Sequence, residues 1–586
     1  MKTCPALLFC LCLATSAPAE QWPLEKPADT ALTIHGSSRS VPGAVGQSLL
    51  LDGSSNIGLK GSAALNGGDA FTFSIWFNPH VLENGQQLIA GKNRYSLKER
   101  QWSLMLEDDG TLCAYAWQGG WTTIRSKKIL KAGHWHLAAL TITKDKAMLH
   151  LNGQLIGEAA LKKPLAPTAA PITLGGLRED GKLRQPFHGA LDEARFEPHV
   201  TPIAYQPVSA THEVPQPVKA DFPLWDETQT LPAAAGLPAL QGVEFHVIKK
   251  HEPEVDQYPW LHGLSLAWHK GRLYASFGHN KGSENTASEE ARGRVSEDGG
   301  KTWGDVFTID TGTESDDLAV SHGVFLSHAG RLWAFHGAFH GKMGNIHTRA
   351  YVLDEATNRW EPKGLTASNG FWALNQPVKM SDGNWIMPGI CAGAYSNHTT
   401  NPAAVVISHG DDFTKWDLVT LPAPQGLKVW GESGIIADGS TILNIARYGA
   451  KPLALVSKST DHGRTWTTMA ESNLPMTTSK PASGMLSTGQ RYLVCTNAAD
   501  NGGRRSPLTI AVSKPGEPTF SKVYVIRPAL FPNGPGESLE KLSLSYPCAL
   551  EHEGKLYVAY SNNGGRGGNH NSAEMAVIPL DKLKVE

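Results

Sequence analysis

From Gln241 onward the sequence repeats itself six times, and a repeat of this kind leaves few folds open. Each unit runs an apolar strand into a glycine turn and out again into a second strand, the turn residues being Gly271, Gly330, Gly383, Gly439, Gly489 and Gly554. The second strands are read at 273–278, 332–337, 385–390, 442–447, 492–497 and 556–561, and third strands end near Arg294, Val352, Ile407, Lys458, Ser513 and Ile578. A unit of three or four short strands cannot bury both of its faces alone, but units stacked around an axis cover one another, which is the logic of a β-propeller. No fourth strand fits after Ile578, so 243–249 is predicted to supply the outermost strand of the last blade and close the ring. The 60 Gly, 37 Pro and 17 Trp agree with many short strands joined by tight turns, an all-β chain.

A single hydrophobic core stops growing near roughly 250 to 300 residues, so a chain of 586 residues holds at least two domains. Between 31 and 198, strands such as Phe71-Thr72-Phe73-Ser74-Ile75-Trp76-Phe77 and His136-Leu137-Ala138-Ala139-Leu140-Thr141-Ile142 alternate in the manner of a β-sandwich. The stretch 199–239 is rich in Pro and Ala without a sustained period and reads as a linker that packs irregularly against its neighbours. The expected architecture is therefore a β-sandwich followed by a six-bladed β-propeller over 240–586. Residues 1–19 carry Lys2, an apolar run over 6–13 and Ala17-Pro18-Ala19 before Glu20, the pattern of a cleaved signal peptide. Secretion to the periplasm, the medium or the outer surface is the expectation. No other stretch is long and apolar enough to span a bilayer.

Charged residues make up 18% of the chain and the net charge is -2, which gives no basic surface for nucleic acid or anionic lipid. Three of the seven Cys fall within the signal segment. The others, Cys113, Cys391, Cys495 and Cys548, stand at no metal-ligand spacing and are read as buried thiols, with room for one bridge. Neither a metal nor a cofactor is called for.

In a propeller the start of each innermost strand and the end of the next strand converge on one face. Counting back seven to nine residues from the turn glycines gives His262, His322, Gln376, Glu432, Lys480 and Tyr546, and the second-strand ends add His279, His336, Arg447 and Asn497. A sealed core would have to desolvate and pair every one of these groups, so a polar ligand site is the simpler reading.

Two third strands run into Ser296-Glu297-Asp298-Gly299-Gly300-Lys301-Thr302-Trp303 and Ser459-Thr460-Asp461-His462-Gly463-Arg464-Thr465-Trp466, with degenerate copies at 408–416 and 513–520. These resemble the Asp box of sialidase-type propellers, whose role is to build the turn, so Asp298 and Asp461 are expected on the face away from the mouth. In the N-terminal part, Ser48-Leu49-Leu50-Leu51-Asp52-Gly53, Trp135-His136, Leu151-Asn152-Gly153 and Phe187-His188-Gly189-Ala190-Leu191-Asp192-Glu193 resemble the laminin-G and concanavalin-like jelly roll. That resemblance implies either a glycan-binding domain or a packing module.

The sialidase resemblance carries over residue by residue. Glu432 and Arg447 sit where the family places the Glu that activates its nucleophile and one Arg of its carboxylate-binding triad. Arg505, before Leu508-Thr509-Ile510, matches another triad Arg, and Tyr546 falls where the family has its nucleophilic Tyr. Sialic acid carries a carboxylate on its anomeric carbon, which guanidinium groups grip and which a neutral phenol attacks without repulsion. The chain departs from the family at two places. Leu261-His262-Gly263 stands where the first triad Arg belongs, and His279-Asn280-Lys281-Gly282-Ser283-Glu284-Asn285 stands where the second Arg and the acid Asp belong. The resemblance then assigns the acid to Glu284 and a cation to Lys281, and draws His262, His279, His322, His336 and Gln376 into substrate binding or base roles. Retention through Tyr546 and inversion through an activated water both stay open.

The resemblance implies a divergent exo-α-sialidase acting on sialylated glycans or glycoproteins such as mucins, without cofactor. Two other readings fit the same residues: a polysaccharide lyase acting on uronic acid glycans through Tyr546 and the ring histidines, and a glycan-binding protein without catalysis.

Overall fold

The computed structural model describes residues 19–585 apart from 37, 67–69, 83–84, 209–219 and 393–400. The expected signal peptide lies outside the described residues but for Ala19. The chain divides into two compact units, up to Glu213 and from Val214.

The first unit is a sandwich of two antiparallel sheets. One holds, in order, Gln154–Ala160, Lys146–Leu151, His136–Ile142, Phe71–Pro79, His188–Glu197, Gln47–Asp52 and Ser38–Pro42. The other holds Trp121–Arg125, Leu112–Trp117, Glu99–Leu106, Gln87–Arg94, Ile172–Leu174, Asn56–Leu59 and Leu32–His35. Alternate residues face inward, as the period of two demands. Phe71, Phe73 and Phe77 of one sheet bury against a layer containing Trp102, Leu104 and Leu106 of the other, the rings of Phe73 and Trp102 lying 4.8 Å apart. The sandwich begins before the expected residue 31, because Glu20–Trp22 pairs along His188–Glu197 and buries Trp22 in the same core.

The second unit is a ring of six sheets. Blade one runs Trp260–His269, Arg272–Asn280, Glu289–Ser296 and Phe307–Asp310 from the centre outward, and blade two Leu318–His328, Arg331–His340, Gly344–Asp354 and Arg359–Ala367. In blade three the inner strand is broken into Phe371–Ala373 and Val378–Lys379, both paired with Trp385–Cys391, before Ala403–His409 and Asp412–Thr420. Blade four is Val429–Asp438, Thr441–Tyr448, Leu453–Ser459 and Ala470–Pro475, and blade five Ala482–Met485, Arg491–Cys495, Leu508–Ser513 and Phe520–Arg527. Blade six is Leu544–His552, Lys555–Asn562 and Ser572–Pro579, completed by Glu244–Lys249 from the start of the unit, so the ring closes as expected.

The motif turns are built alike. The Ser296 hydroxyl donates to Asp298 and accepts from the Gly300 amide, while Asp298 accepts from the amide and hydroxyl of Thr302; Ser459, Asp461, Gly463 and Thr465 repeat each of these bonds. Both aspartates are fully committed to turn geometry. Part of the segment expected to be a linker belongs to the propeller. Leu224, Trp225 and Leu231 are buried in the core of blades four and five, and the Asn473 side chain accepts from the amides of Leu224 and Trp225 at 2.9 and 2.8 Å. The four cysteines of the described residues are free and buried.

Candidate active site

The ends of the inner strands that face the site are irregular, and the irregularity is what aims the side chains. In blades one, two, four and six the register slips between His262 and Ser265, Val320 and Gly323, Trp430 and Ser433, and Ser545 and Cys548. A β-bulge inserts unpaired residues into one strand and redirects their side chains. The residues thrown out of the ladder include His322, Glu432 and Tyr546, with His262 at the edge of its own bulge. All four line one cavity of about 340 Å³, together with Glu284, Arg447 and Arg505, a volume within the range of roughly 300 to 1,000 Å³ typical of small-ligand sites.

Glycines make room for the bulges where neighbouring blades meet. Gly263 adopts φ +66, and a Cβ there would lie 2.2 Å from Cγ of His322, so only glycine lets blades one and two approach. Gly431 leaves room for the backbone of Ala403, which a Cβ would meet at 2.2 Å. Tyr546 itself is held at φ 53, in the left-handed region that a bulky residue avoids. Such a conformation costs of order 1 to 3 kcal/mol and persists only where its surroundings impose it.

At the centre, the Tyr546 hydroxyl donates a hydrogen bond to Oε1 of Glu432. The Arg447 guanidinium donates to Oε2 of the same carboxylate at 2.7 Å and reaches the phenol oxygen at 3.4 Å. Tyr546 and Glu432 are 8% and 7% exposed, so the pair meets in a nearly dry environment. Burial first, and the Glu432 charge second, hold the phenol pKa well above its ordinary value, which keeps Tyr546 neutral until a base takes its proton. Burial opposes the charge on Arg447, but Glu432 and Tyr546 outweigh it and its pKa is raised. The Arg447 Nε is buried with no hydrogen-bond partner among the described residues. A second guanidinium, Arg505, lies 6.0 Å from the centre of the Tyr546 ring and is fixed by donating to the Thr478 carbonyl at 2.9 Å.

Two histidines complete the wall. The His262 ring packs 4.0 Å from that of Tyr546, its Nδ1 within 3.2 Å of the Asn571 amide. His322 lies 4.9 Å from the Trp372 ring, and its carbonyl accepts from the Trp372 indole at 2.9 Å. Burial, with His322 and the nearby arginines and Lys480, pushes His262 well below the usual imidazole range. Burial, then Lys480 and His336, brings His322 to about 3. Both rings are neutral at physiological pH. Glu284 stands on the rim, an exposed residue whose carboxylate accepts from Asn569 at 2.8 Å. The surrounding protein and then the Glu432 charge raise its pKa, against the opposing pull of Asn569 and the arginines.

Several expected site residues lie elsewhere. His336 is fully buried inside blade two, where its Nδ1 meets the Ser321 carbonyl at 2.7 Å and its ring packs near Phe325 and Tyr351; it supports the bulge that carries His322. His279 stacks on Tyr258 at 4.3 Å and lies 3.9 Å from Asp256, contacts that hold its side chain outside the cavity. Gln376 donates to the Leu266 carbonyl and lines a separate cavity of about 180 Å³ farther along the channel, since the break in blade three's inner strand sets it at a different level. Lys281 lies 5.2 Å over the Tyr258 ring and does not line the site. Sequence reasoning passed over Trp372, Trp430, Asn401 and Asn569, all on the cavity wall. Trp430 could have been found from its place two residues before Glu432, with Arg447 lying 5.5 Å over its ring. Asn569 sits in a glycine-rich loop whose sequence carries no such signal.

Residues 271–558 match the BNR repeat-like domain and residues 51–201 the concanavalin A-like lectin/glucanases superfamily. No curated protein matches the chain by sequence. Among solved structures, the chain is similar to the NanB sialidase of Streptococcus pneumoniae, at 12% identity over 94% of this chain and 99% of that one, with a TM-score of 0.44. It is similar to a leech intramolecular trans-sialidase at 12% identity over 96% and 98%, with a TM-score of 0.43. The Trypanosoma rangeli sialidase is similar at 13% identity over 58% of this chain and 60% of that one, with a TM-score of 0.44.

Proposed function

We propose, for a chain that joins a concanavalin A-like domain to a BNR repeat-like propeller, that the propeller cavity is the active site of an exo-α-sialidase releasing terminal sialic acid from glycoprotein glycans. The observation that carries this reading is the contact of Tyr546 with Glu432 and Arg447 at the base of a cavity that a second arginine also lines. Arg447 and Arg505, both on the cavity wall, supply two guanidinium groups for the sugar carboxylate. As the bond to the leaving sugar lengthens, Glu432 takes the phenolic proton and Tyr546 attacks the anomeric carbon. The leaving oxygen receives its proton from Glu284, whose raised pKa suits an acid. Water, activated by the now ionised Glu284, then releases the sugar from the tyrosine, whose oxygen takes its proton back from Glu432, and two displacements return the original anomeric configuration. His262, neutral and set against the Tyr546 ring, stands in for a third arginine as a hydrogen-bonding wall without added charge. The signal segment suits a secreted enzyme meeting such glycans outside the cell.

The test is product analysis with sialylated glycoproteins and with uronic acid polysaccharides. Free sialic acid supports the proposal, an unsaturated uronide absorbing in the ultraviolet identifies a lyase, and binding without any product identifies a glycan-binding protein.

A further inference from the structure

Beneath the cavity lies a cation that the chemistry above does not use. Lys480 is 1% exposed and lines neither cavity. Its ammonium donates to the Pro547 carbonyl at 2.7 Å and to Oδ1 of Asn375 at 3.3 Å, with no carboxylate in bonding range among the described residues. Asn375 turns its amide nitrogen the other way, donating to the carbonyls of Ser433 at 2.8 Å and Pro481 at 3.0 Å. Pro547 follows Tyr546 within the blade-six bulge, and Ser433 follows Glu432 at the end of the blade-four bulge. The bonded path Pro547–Lys480–Asn375–Ser433 thus joins the two irregular segments that bring the phenol and the carboxylate together.

We propose that Lys480 and Asn375 are positioning residues that clamp the Tyr546 and Glu432 bulges to one another. The proposal rests on the reading of Tyr546 and Glu432 as the reacting pair. Burying an ammonium against neutral acceptors is costly, and an apolar side chain of the same length would serve a purely structural role better. Burial brings Lys480 down to about 8, against the opposing influence of Cys548, Glu432 and Cys495, so it remains a cation at neutral pH and keeps all its donors. A clamp is needed because bulged backbone has lost the ladder bonds that would otherwise fix its position. A displacement of about 1 Å at a reacting pair can cost 10²-fold in rate.

The experiment uses the full-length protein with Lys480→Met, Asn375→Leu and the double variant. With a sialoside substrate, each single variant should lose about 10²-fold in kcat with little change in KM. The double variant should be no worse than the poorer single, since both break one path. Lys480→Met should keep a cooperative unfolding transition, so that the loss of kcat is read on folded protein. Full kcat in either single variant, additive losses, or a rise in KM matching the fall in kcat/KM would each overturn the proposal. A second readout does not depend on turnover: in protein labelled with 3-fluorotyrosine, the Tyr546 ¹⁹F line, assigned by its loss in Tyr546→Phe, should move in both single variants. A line unmoved in both overturns the clamp. A parent that releases no sialic acid sinks the functional reading, and the fluorine spectrum then decides the clamp alone.

Discussion

At the scale of the residue, the account turns on protons. The Tyr546 phenol stays neutral because burial and Glu432 both disfavour its anion, so its nucleophilicity depends on the base it touches. Tyr546→Phe removes one oxygen and should abolish turnover through the covalent route while leaving the fold intact. Glu432→Gln should lower kcat by about 10²- to 10⁴-fold, the usual worth of a general base. Both variants should still bind free sialic acid in calorimetry, because Arg447 and Arg505 remain; a variant with parental kcat would remove its residue from the chemistry. Glu284 makes a separate prediction. Its pKa is raised, so it keeps its proton to a higher pH than an ordinary carboxyl group and loses it as pH rises; kcat/KM on glycans should fall on the alkaline side. Glu284→Gln should lose about 10²-fold or more on a sialylated glycan but far less on an aryl sialoside, whose phenolate leaves without a proton. Equal losses on both substrates would exclude the acid role.

At the scale of the element, the bulges explain what the sequence disclosed and what it hid. The ladder of turn glycines fixed where each inner strand begins, and this placed His262, His322, Glu432 and Tyr546 on the channel wall. The same counting assumed regular strands. His279 stacks on Tyr258 and His336 bonds the Ser321 carbonyl, so neither side chain of these second strands reaches the cavity. Pro377 and the broken inner strand of blade three carry Gln376 to the other cavity. Bulges and broken strands arise from contacts between blades, which no single strand's pattern records. Arg505 and Glu284 come from loops, where the resemblance to sialidases rather than any periodicity pointed to them. The bulge geometry is itself testable at Gly263, where a Cβ would collide with the His322 ring at a φ that alanine resists. Gly263→Ala should lower Tm and displace His322, reducing kcat/KM for a sialoside by at least about tenfold. Parental melting and activity would show that blades one and two have slack at this point.

At the scale of the whole molecule, each unit closes its own core. The propeller ring is completed by Glu244–Lys249, but its core also takes in Leu224, Trp225 and Leu231, each buried. Burying one such side chain stabilises by about 1.5 to 3 kcal/mol. A fragment from residue 214 should therefore fold and act on small sialosides, whereas one from residue 241 should melt lower; equal melting of the two would return the segment to the status of a linker. The alternation of the sandwich strands and the sixfold repeat were legible from the sequence, because both express a period that a whole sheet must obey. That 199–239 packs against its neighbours could also be read, but which blades it covers could not, because that follows the shape of the blades. The central claim is that the cavity holds a sialidase nucleophile in Tyr546, and the most direct measurement is proton NMR of a sialyllactose during its first turnovers. The account predicts that sialic acid appears first as the α anomer and mutarotates afterwards, and that Tyr546→Phe eliminates this product. The β anomer appearing first, or release by Tyr546→Phe at the parental rate, would contradict it.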